Sequence, residues 1–283
     1  MAHVGIDIGG SSIKAVRLCR GDTPRAEARV AYAGTSMAAL RDAVRDASAS
    51  IGFDTQDSVG VCLPGLVDPE RGVLVHAANL PCLVGESPAD LIADILGVQP
   101  TRVHTDATAW GLGVARRETG IERLLVVAIG SGVGAALIVN GKPVTLDGTT
   151  PGHVGMIDVS LDEADPPRAG DGTPGVLEAY IGGRALAARF GTGDLAGSIA
   201  GLSADDSALL ALAKGLRICH AIYKPDAVRL VGGVGALLRP HLPGIESIVG
   251  NELTSVARGG WTLGVVDDLY LAAEGVAMAG ADR

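Results

Sequence analysis

A short apolar run that breaks on a glycine turn and returns as a second apolar run occurs twice in this chain. The first copy is Ile6-Asp7-Ile8-Gly9-Gly10-Ser11, entered from Val4 and continued through Ile13 to Leu18. The second is Val127-Ala128-Ile129-Gly130-Ser131-Gly132, entered from Leu125 and continued through Ala135 to Val139. One such unit is an ordinary hairpin. Two, each opening a stretch in which strands and helices alternate, predict an internally duplicated α/β chain with two lobes facing each other across a cleft.

The remaining pattern fits that frame. Residues 26–33 read as a third strand of the first copy. Leu40, Ala43, Val44, Ala47 and Ile51 then recur at helical spacing. Ser58 to Leu63 reads as a strand stopped by Pro64-Gly65. A helix near 87–96, a strand at 102–105 and a helix at 106–118 follow. The Pro-, Gly- and Asp-rich stretch 160–175 shows no periodicity and reads as a loop. Helices at 176–190 and 203–223, a strand from Ala227 to Val231 ending in Gly232-Gly233, and a small-residue helix near 270–281 complete the pattern. The expected lobes are 1–107, completed by the C-terminal helix at about 270–283, and 108–269.

Composition removes several function classes. The net charge is −9 and no Lys/Arg cluster is dense enough to track a phosphate backbone, so nucleic acid is not an expected partner. No apolar run approaches the roughly 20 residues that span a bilayer, and the chain enters a strand at once without a leader. A soluble, cytoplasmic protein without a membrane partner is expected. Cys19, Cys62, Cys82 and Cys219 are scattered, without a CxxC pair or a nearby His, and read as small reduced residues.

There is no P-loop and no GxGxxG opening a helix after a strand. The glycine turns offer another way to handle phosphate. Their backbone N–H groups can point at phosphate oxygens, and glycine lets those oxygens come close. Ser11, Ser12 and Ser131 add hydroxyls. Asp7, at a strand end, suits Mg²⁺, which favours one or two carboxylates together with phosphates. Asp106, where a strand meets a helix, reads either as an N-cap or as a base. As a base it accepts the proton of a hydroxyl that attacks a γ-phosphate.

With these motifs the chain resembles the ROK-family sugar kinases, glucokinase-like members of the actin/hexokinase/Hsp70-like ATPase fold. That fold has two lobes, each a mixed sheet with helices, and an active-site cleft between them. The stretch from Asp7 to Lys14 resembles the family's first phosphate motif, and Ile129 to Gly134 its second. Gly60 to Pro69, followed by Ala78-Asn79-Leu80, resembles its PG-x-VD-P and NL segments. Thr105 to Ala109 resembles NDANA, Gly152 to Gly155 resembles GE-x-GH, and Leu177 to Tyr180 resembles LEAY. Pro225-Asp226 through Val234 resembles the adenosine-side segment.

The resemblance implies transfer from ATP, with Mg²⁺, to a hydroxyl of a hexose-like sugar, with Asp106 as the base. It places ATP among Asp7, Gly9, Gly10, Ser11, Ser12, Lys14, Ser131, Gly132, Gly134, Gly232 and Gly233. It places the sugar among Gly65, Asn79, Thr105, Asp106, His153 and Glu178. It also allows a homodimer.

The departures from the family pattern are specific. The four positions of the family's structural zinc ligands hold Met156, Ala169, Asp171 and Val176, so no zinc is expected. Thr105 stands for an Asn, His153 for a sugar-reading Glu, and Met156 for a His that also touches the sugar. Hydroxyl-reading sites are sensitive to such exchanges. They point to an acceptor other than plain glucose: a cyclitol, an amino sugar or another modified sugar. Val231 replaces the first glycine of the adenosine-side segment. Two further readings are a sugar-responsive regulator and a chaperone-like ATPase. The first strand begins at residue 4, which leaves no room for a regulator's DNA-binding segment. Asn79, Asp106 and Glu178 together oppose the ATPase.

Overall fold

The computed structural model describes residues 2–19, 25–33, 36–146, 149, 151–255 and 257–278. The chain forms two compact units. One runs from the N-terminus to Thr119 and resumes at Asp268; the other holds most of the chain from Gly120 to Asp267.

The first unit contains β1 (His3–Ile8), β2 (Ser12–Leu18), β3 (Ala26–Ala31), α1 (Met37–Ser50), β4 (Ser58–Leu63), β5 (Leu66–Val67), β6 (Leu74–His76), α2 (Pro88–Leu96), β7 (Arg102–Thr105) and α3 (Asp106–Arg117). Its main sheet has the order β3-β2-β1-β4-β7. β1 pairs antiparallel with β2 and parallel with β4, and β4 pairs parallel with β7. The central strands carry unbroken apolar runs because both of their faces are covered. Leu40, Ala43, Val44 and Ala47 of α1 are buried, and Ile51 packs just beyond its end, so the helical spacing read from the sequence is the core-facing stripe.

The second unit contains β8 (Arg123–Ile129), β9 (Val133–Val139), β10 (Lys142–Pro143), α4 (Leu177–Ile181), α5 (Gly183–Phe190), α6 (Leu195–Ala200), α7 (Ser207–Tyr223), β11 (Ala227–Val231), α8 (Gly232–Leu237), α9 (Leu242–Glu252) and β12 (Thr262–Val265). Its sheet has the order β10-β9-β8-β11-β12. Strand for strand, directions included, this repeats the first sheet. The duplicated strand–turn–strand motif is therefore the start of a duplicated sheet.

Three details differ from the sequence reading. The helix expected at 176–190 is two helices, because Gly182 takes an extended conformation with ψ 143°. The break frees the Gly183 and Arg184 N–H groups to reach the second glycine turn. The helix expected from 203 begins at Ser207, where the Asp206 side chain caps it, and α6 precedes it under an Asp194 cap. The units part after Thr119 rather than at 107/108, so α3 lies wholly with the first.

Helix α10 (Leu271–Met278) returns the chain to the first unit; the end expected for it beyond 278 lies outside the described residues. It packs on β1, β4 and α3 through positions where no side chain fits. A Cβ on Gly5 would strike the Ala273 carbonyl, and one on Gly60 the Val276 carbonyl. A Cβ on Gly113 of α3 would strike the Leu271 carbonyl, and one on Gly275 the Ala109 carbonyl. Glu274, buried on α10, pairs with Arg25 at 2.8 Å and with Arg117, which also holds Asp268 at 2.6 Å. In an open helix position Gly→Ala stabilises by about 1 kcal/mol. At Gly113 the sign is expected to reverse, with Gly113→Ala costing about 1–3 kcal/mol through overpacking. Urea denaturation of the variant measures it.

Candidate active site

Strand register alone assembles the charged part of the first unit. Asp7 of β1 lies opposite Lys14 of β2 and Cys62 of β4, and Cys62 lies opposite His104 of β7. Directly opposed side chains on one sheet face interact. Lys14 Nζ donates to Asp7 Oδ2 at 2.6 Å, and the Cys62 thiol donates to Asp7 Oδ1 at 3.7 Å. Cys62 is fully buried, and burial followed by the charges of Asp7 and Asp106 pushes its thiol well up. It therefore serves as a neutral donor. In the sequence it reads as one scattered small cysteine. Only the β1–β4 register places it on Asp7.

The first glycine turn is held from β3. The Tyr32 hydroxyl donates to the Gly9 carbonyl at 2.6 Å, and the Tyr32 N–H donates to the Ser11 carbonyl at 3.1 Å. Burial raises the Tyr32 phenol, which keeps it protonated as a donor. Nothing in the sequence pattern marked this residue. Gly10 sits against Asn79, whose carbonyl would lie 2.8 Å from an added Cβ. Gly65 has φ +123°, and a Cβ there would strike the His76 carbonyl. Of the turn's two serines, Ser12 is buried and Ser11 is exposed.

At the β7–α3 junction the cap is Thr105. Its Oγ1 accepts the Thr108 N–H at 3.3 Å and lies 2.9 Å from the Thr108 hydroxyl. Asp106 is then the first helical residue, and its Oδ1 accepts the Ala107 N–H at 2.8 Å. The two readings of Asp106 are thus separated: the neighbouring threonine caps the helix, and Asp106 keeps its other oxygen clear of that task. Asp106 itself is half-buried. Desolvation raises its pKa, with the nearby Asp7 charge adding to the rise, while the Ala107 N–H and Lys14 oppose it.

The second unit carries the other candidates on backbone rather than charge. In the repeated register the place of Asp7 falls to Ala128 and that of Lys14 to Gly134. The turn from Gly130 to Val133 is gripped at the α4–α5 junction. Gly183 N–H donates to the Gly130 carbonyl at 2.8 Å and Arg184 N–H to the Ser131 carbonyl at 3.1 Å. Glu178 Oε2 accepts the Val133 N–H at 2.8 Å. Gly232 has φ +84°, with the Ile129 carbonyl 2.7 Å from an added Cβ; Gly130 and Gly233 face open space. These bare backbone turns are cradles that side chains would fill, and they suit phosphate. Mg²⁺ keeps several waters, which suits a carboxylate such as Asp7 that already holds an ammonium and a thiol. His153 lies exposed in a 3₁₀ turn, His153–Met156, that presses on β9 through Gly152 and Gly155.

Zinc does not fit the loop that follows. Met156, Ala169, Asp171 and Val176 supply neither thiolate nor imidazole. Hydrogen bonds hold the loop instead. Asp158 Oδ1 accepts the N–H and hydroxyl of Ser160 at 2.9 and 2.7 Å, and Asp171 accepts the Thr173 N–H at 2.9 Å. Lys214 donates to the Ser160 carbonyl at 2.6 Å, and Tyr180 hydrogen-bonds Glu163.

A chain with two copies of one mixed sheet, each opening on a glycine turn, has the architecture of the duplicated actin-like ATPase folds. The ROK family's sequence profile matches residues 3–258, and the chain belongs to the ROK family. It is 34% identical over 197 residues to the N-acetyl-D-glucosamine kinase of Salmonella choleraesuis (strain SC-B67), a match covering 65% of this chain and 64% of that protein. The chain thus spans a little under two thirds of the length of the curated relatives it matches. A ROK family glucokinase from Streptomyces griseus, solved with glucose and AMPPNP, superposes with a TM-score of 0.77 at 22% identity, covering 100% of both chains. A ROK family transcriptional regulator, a homologue of E. coli MLC, superposes with a TM-score of 0.76 at 17% identity, covering 98% of this chain and 76% of the other. The fold is the actin/hexokinase-like ATPase fold.

Two measurements follow from this geometry. Because folding raises the Asp106 pKa, its charged form opposes folding. That penalty is absent below the unfolded pKa and grows as pH rises through the folded value. Asp106→Asn keeps the Ala107 bond without the charge. Its melting temperature is expected to exceed the parent's at pH 8, with the difference shrinking by pH 4. A zinc chelator is expected to leave the melting temperature unchanged, whereas Asp158→Ala is expected to lower it through the lost bonds to Ser160.

Proposed function

We propose that this protein is an ATP-dependent sugar kinase whose acceptor is a hexose or an amino sugar. The observation that carries the proposal is the register row Lys14–Asp7–Cys62, with the raised carboxyl of Asp106 two residues beyond the end of that row on β7. A carboxylate whose pKa is raised toward neutrality is a better base. Asp106 accepts the proton of an acceptor hydroxyl as that oxygen attacks the γ-phosphorus. The new P–O bond forms, the bond to the β-phosphate oxygen breaks, and ADP leaves. The Gly9 and Gly130 N–H groups close their turns onto the Ser12 and Gly132 carbonyls, and the N–H groups that follow them in each turn bind phosphate oxygens, while Lys14 adds positive charge. Bound Mg²⁺, held through Asp7, supplies further charge neutralisation on the phosphates.

The amino-sugar reading is favoured by the N-acetyl-D-glucosamine kinases at 34% identity and by the altered sugar-reading positions. Thr105 commits its hydroxyl to the α3 cap, so it reads a sugar less well than an asparagine amide. His153 supplies one donor and one acceptor in place of a carboxylate. The sugar is further read by Asn79 and Glu178. A regulator is the second reading, because the same fold carries one. The Asp106 and Lys14–Asp7 arrangement favours catalysis, since a protein that only senses sugar needs no base.

The test is a coupled ADP-release assay over glucose, mannose, N-acetylglucosamine, N-acetylmannosamine and inositol. The best kcat/KM is expected on an N-acetylated amino sugar. Glucose preferred by a wide margin would reject the amino-sugar reading, and no turnover on any acceptor would reject the kinase. Asp106→Ala is expected to lower kcat by about 10²–10⁴-fold while leaving AMPPNP binding intact.

A further inference from the structure

We propose that Glu178 is a positioning residue for the phosphate turn as well as a reader of the acceptor, so that acceptor binding raises affinity for the phosphate donor. The inference rests on the kinase reading given above and concerns contacts within the second unit alone.

The α4–α5 junction grips the turn at successive residues. The Gly130 and Ser131 carbonyls accept from the first two N–H groups of α5, at 2.8 and 3.1 Å. These are helix-start donors that need a partner outside the helix. The Val133 N–H, at the start of β9, donates to Glu178 Oε2 at 2.8 Å. Carbonyls and N–H at both sides of the turn are therefore tied to one short segment. Gly132 lies between them, and a Cβ there would strike the Glu178 Oε2, so a side chain at that position would displace the carboxylate. The carboxylate fills the space that glycine leaves.

Glu178 is itself held firmly. Leu177, Ala179, Tyr180 and Ile181, the other residues of α4, are all buried, and Glu178 alone is half-buried. Gly182, next in the chain, has no room for a Cβ beside the Glu178 carbonyl and Cγ. Val133 also bears on the sugar-reading turn, since a Cβ on Gly155 would strike its carbonyl. Ala135, two residues on, accepts no side chain at Gly152 and donates its N–H to the Gly152 carbonyl at 3.1 Å. The first residues of β9 thus touch the phosphate turn, Glu178 and the turn bearing His153.

One carboxylate with Oε2 on Val133 presents Oε1 to an acceptor hydroxyl. A sugar bound there immobilises the side chain and, through Oε2, the turn. A donor that needs the ordered turn then meets less ordering cost, and by linkage the donor raises affinity for the acceptor by the same factor.

The experiment compares the full-length parent with Glu178→Ala and Glu178→Gln. Calorimetry measures binding of Mg-AMPPNP without and with the best acceptor of the ADP-release assay, and hydrogen exchange measures protection of the amide of Val133. The sugar is expected to tighten AMPPNP binding in the parent and not in Glu178→Ala. No gain in the parent, or an equal gain in both, would overturn the proposal. In Glu178→Ala, AMPPNP affinity is expected to fall about tenfold, equivalent to about 1.4 kcal/mol, and the Val133 amide to exchange faster. Glu178→Gln keeps an oxygen for Val133 and is expected to stay within about threefold for AMPPNP, while its acceptor KM rises. AMPPNP affinity and Val133 protection equal to the parent's in Glu178→Ala would overturn the proposal and leave Glu178 a sugar reader only. Circular dichroism of Glu178→Ala equal to the parent's establishes folding; if that variant is unfolded, Glu178→Gln decides. In Glu178→Gln a gain in AMPPNP affinity on adding the sugar that is smaller than the parent's supports the proposal, and a gain equal to the parent's overturns it. A parent that binds no AMPPNP at all rejects the kinase reading instead, and the exchange result then still reports whether Glu178 holds the turn.

Discussion

Helix α10 lies so close to β1, β4 and α3 that backbone meets backbone, and the arrangement of the first unit depends on that approach. Gly5, Gly60, Gly113 and Gly275 are the positions where a methyl group would collide with a carbonyl across the interface. Close approach brings many weak dispersion contacts to their optimum and leaves no void. The three elements so clamped hold the part-buried ion-pair row and the carboxyl at the head of α3. β1 bears Asp7, β4 bears Cys62, and α3 begins at Asp106. The buried Glu274, shared by Arg25 and Arg117, adds direction to an interface whose small side chains specify little by shape. Its charges are paired, as burial of a carboxylate requires.

The two copies of the sheet keep one strand order and differ in the side chains at matching positions. The first copy keeps acidic and basic side chains at the row where β1, β2 and β4 meet. The second has small, uncharged residues at the matching places, Ala128 and Gly134. A glycine turn is a poor scaffold by itself, since glycine loses the most conformational freedom on folding. Both turns are therefore braced from outside. Tyr32 holds the first through two carbonyls, and the α4–α5 junction holds the second through two carbonyls and one N–H. The chain uses different residues for the same physical task.

The loop after His153 follows the same logic. Where the family places a metal, this chain places side chains that fold back on their own backbone. Asp158, Asp171 and Lys214 provide the links. Such links are individually weaker than metal bonds and need neither thiolates nor a metal supply. The Tyr180–Glu163 pair ties the loop to α4, the helix that carries Glu178.

Much of this was legible in the linear sequence. Apolar periodicity and glycine turns specified the two strand–turn–strand units, the core face of α1 and the order of elements, because those features are local and repeat with the geometry of strand and helix. Type and position singled out Asp7 and Asp106 as candidates, and the family resemblance added Lys14, but not that Lys14 lies opposite Asp7 and bonds to it. Register was not legible, because hydrogen bonding between strands far apart in the chain decides it. That is why Cys62 looked like one more small residue until β4 lay beside β1, and why Tyr32 carried no signal at all. The split of 176–190 at Gly182 was hidden for the same reason, since its cause is a turn some fifty residues earlier in the chain, a separation that local periodicity does not reach. The opening motif itself was set by sequence: two short apolar runs joined by glycines favour a tight turn between paired strands. What braces each turn was decided by tertiary structure, because a turn's carbonyls and N–H groups take whichever partners packing brings within hydrogen-bond reach.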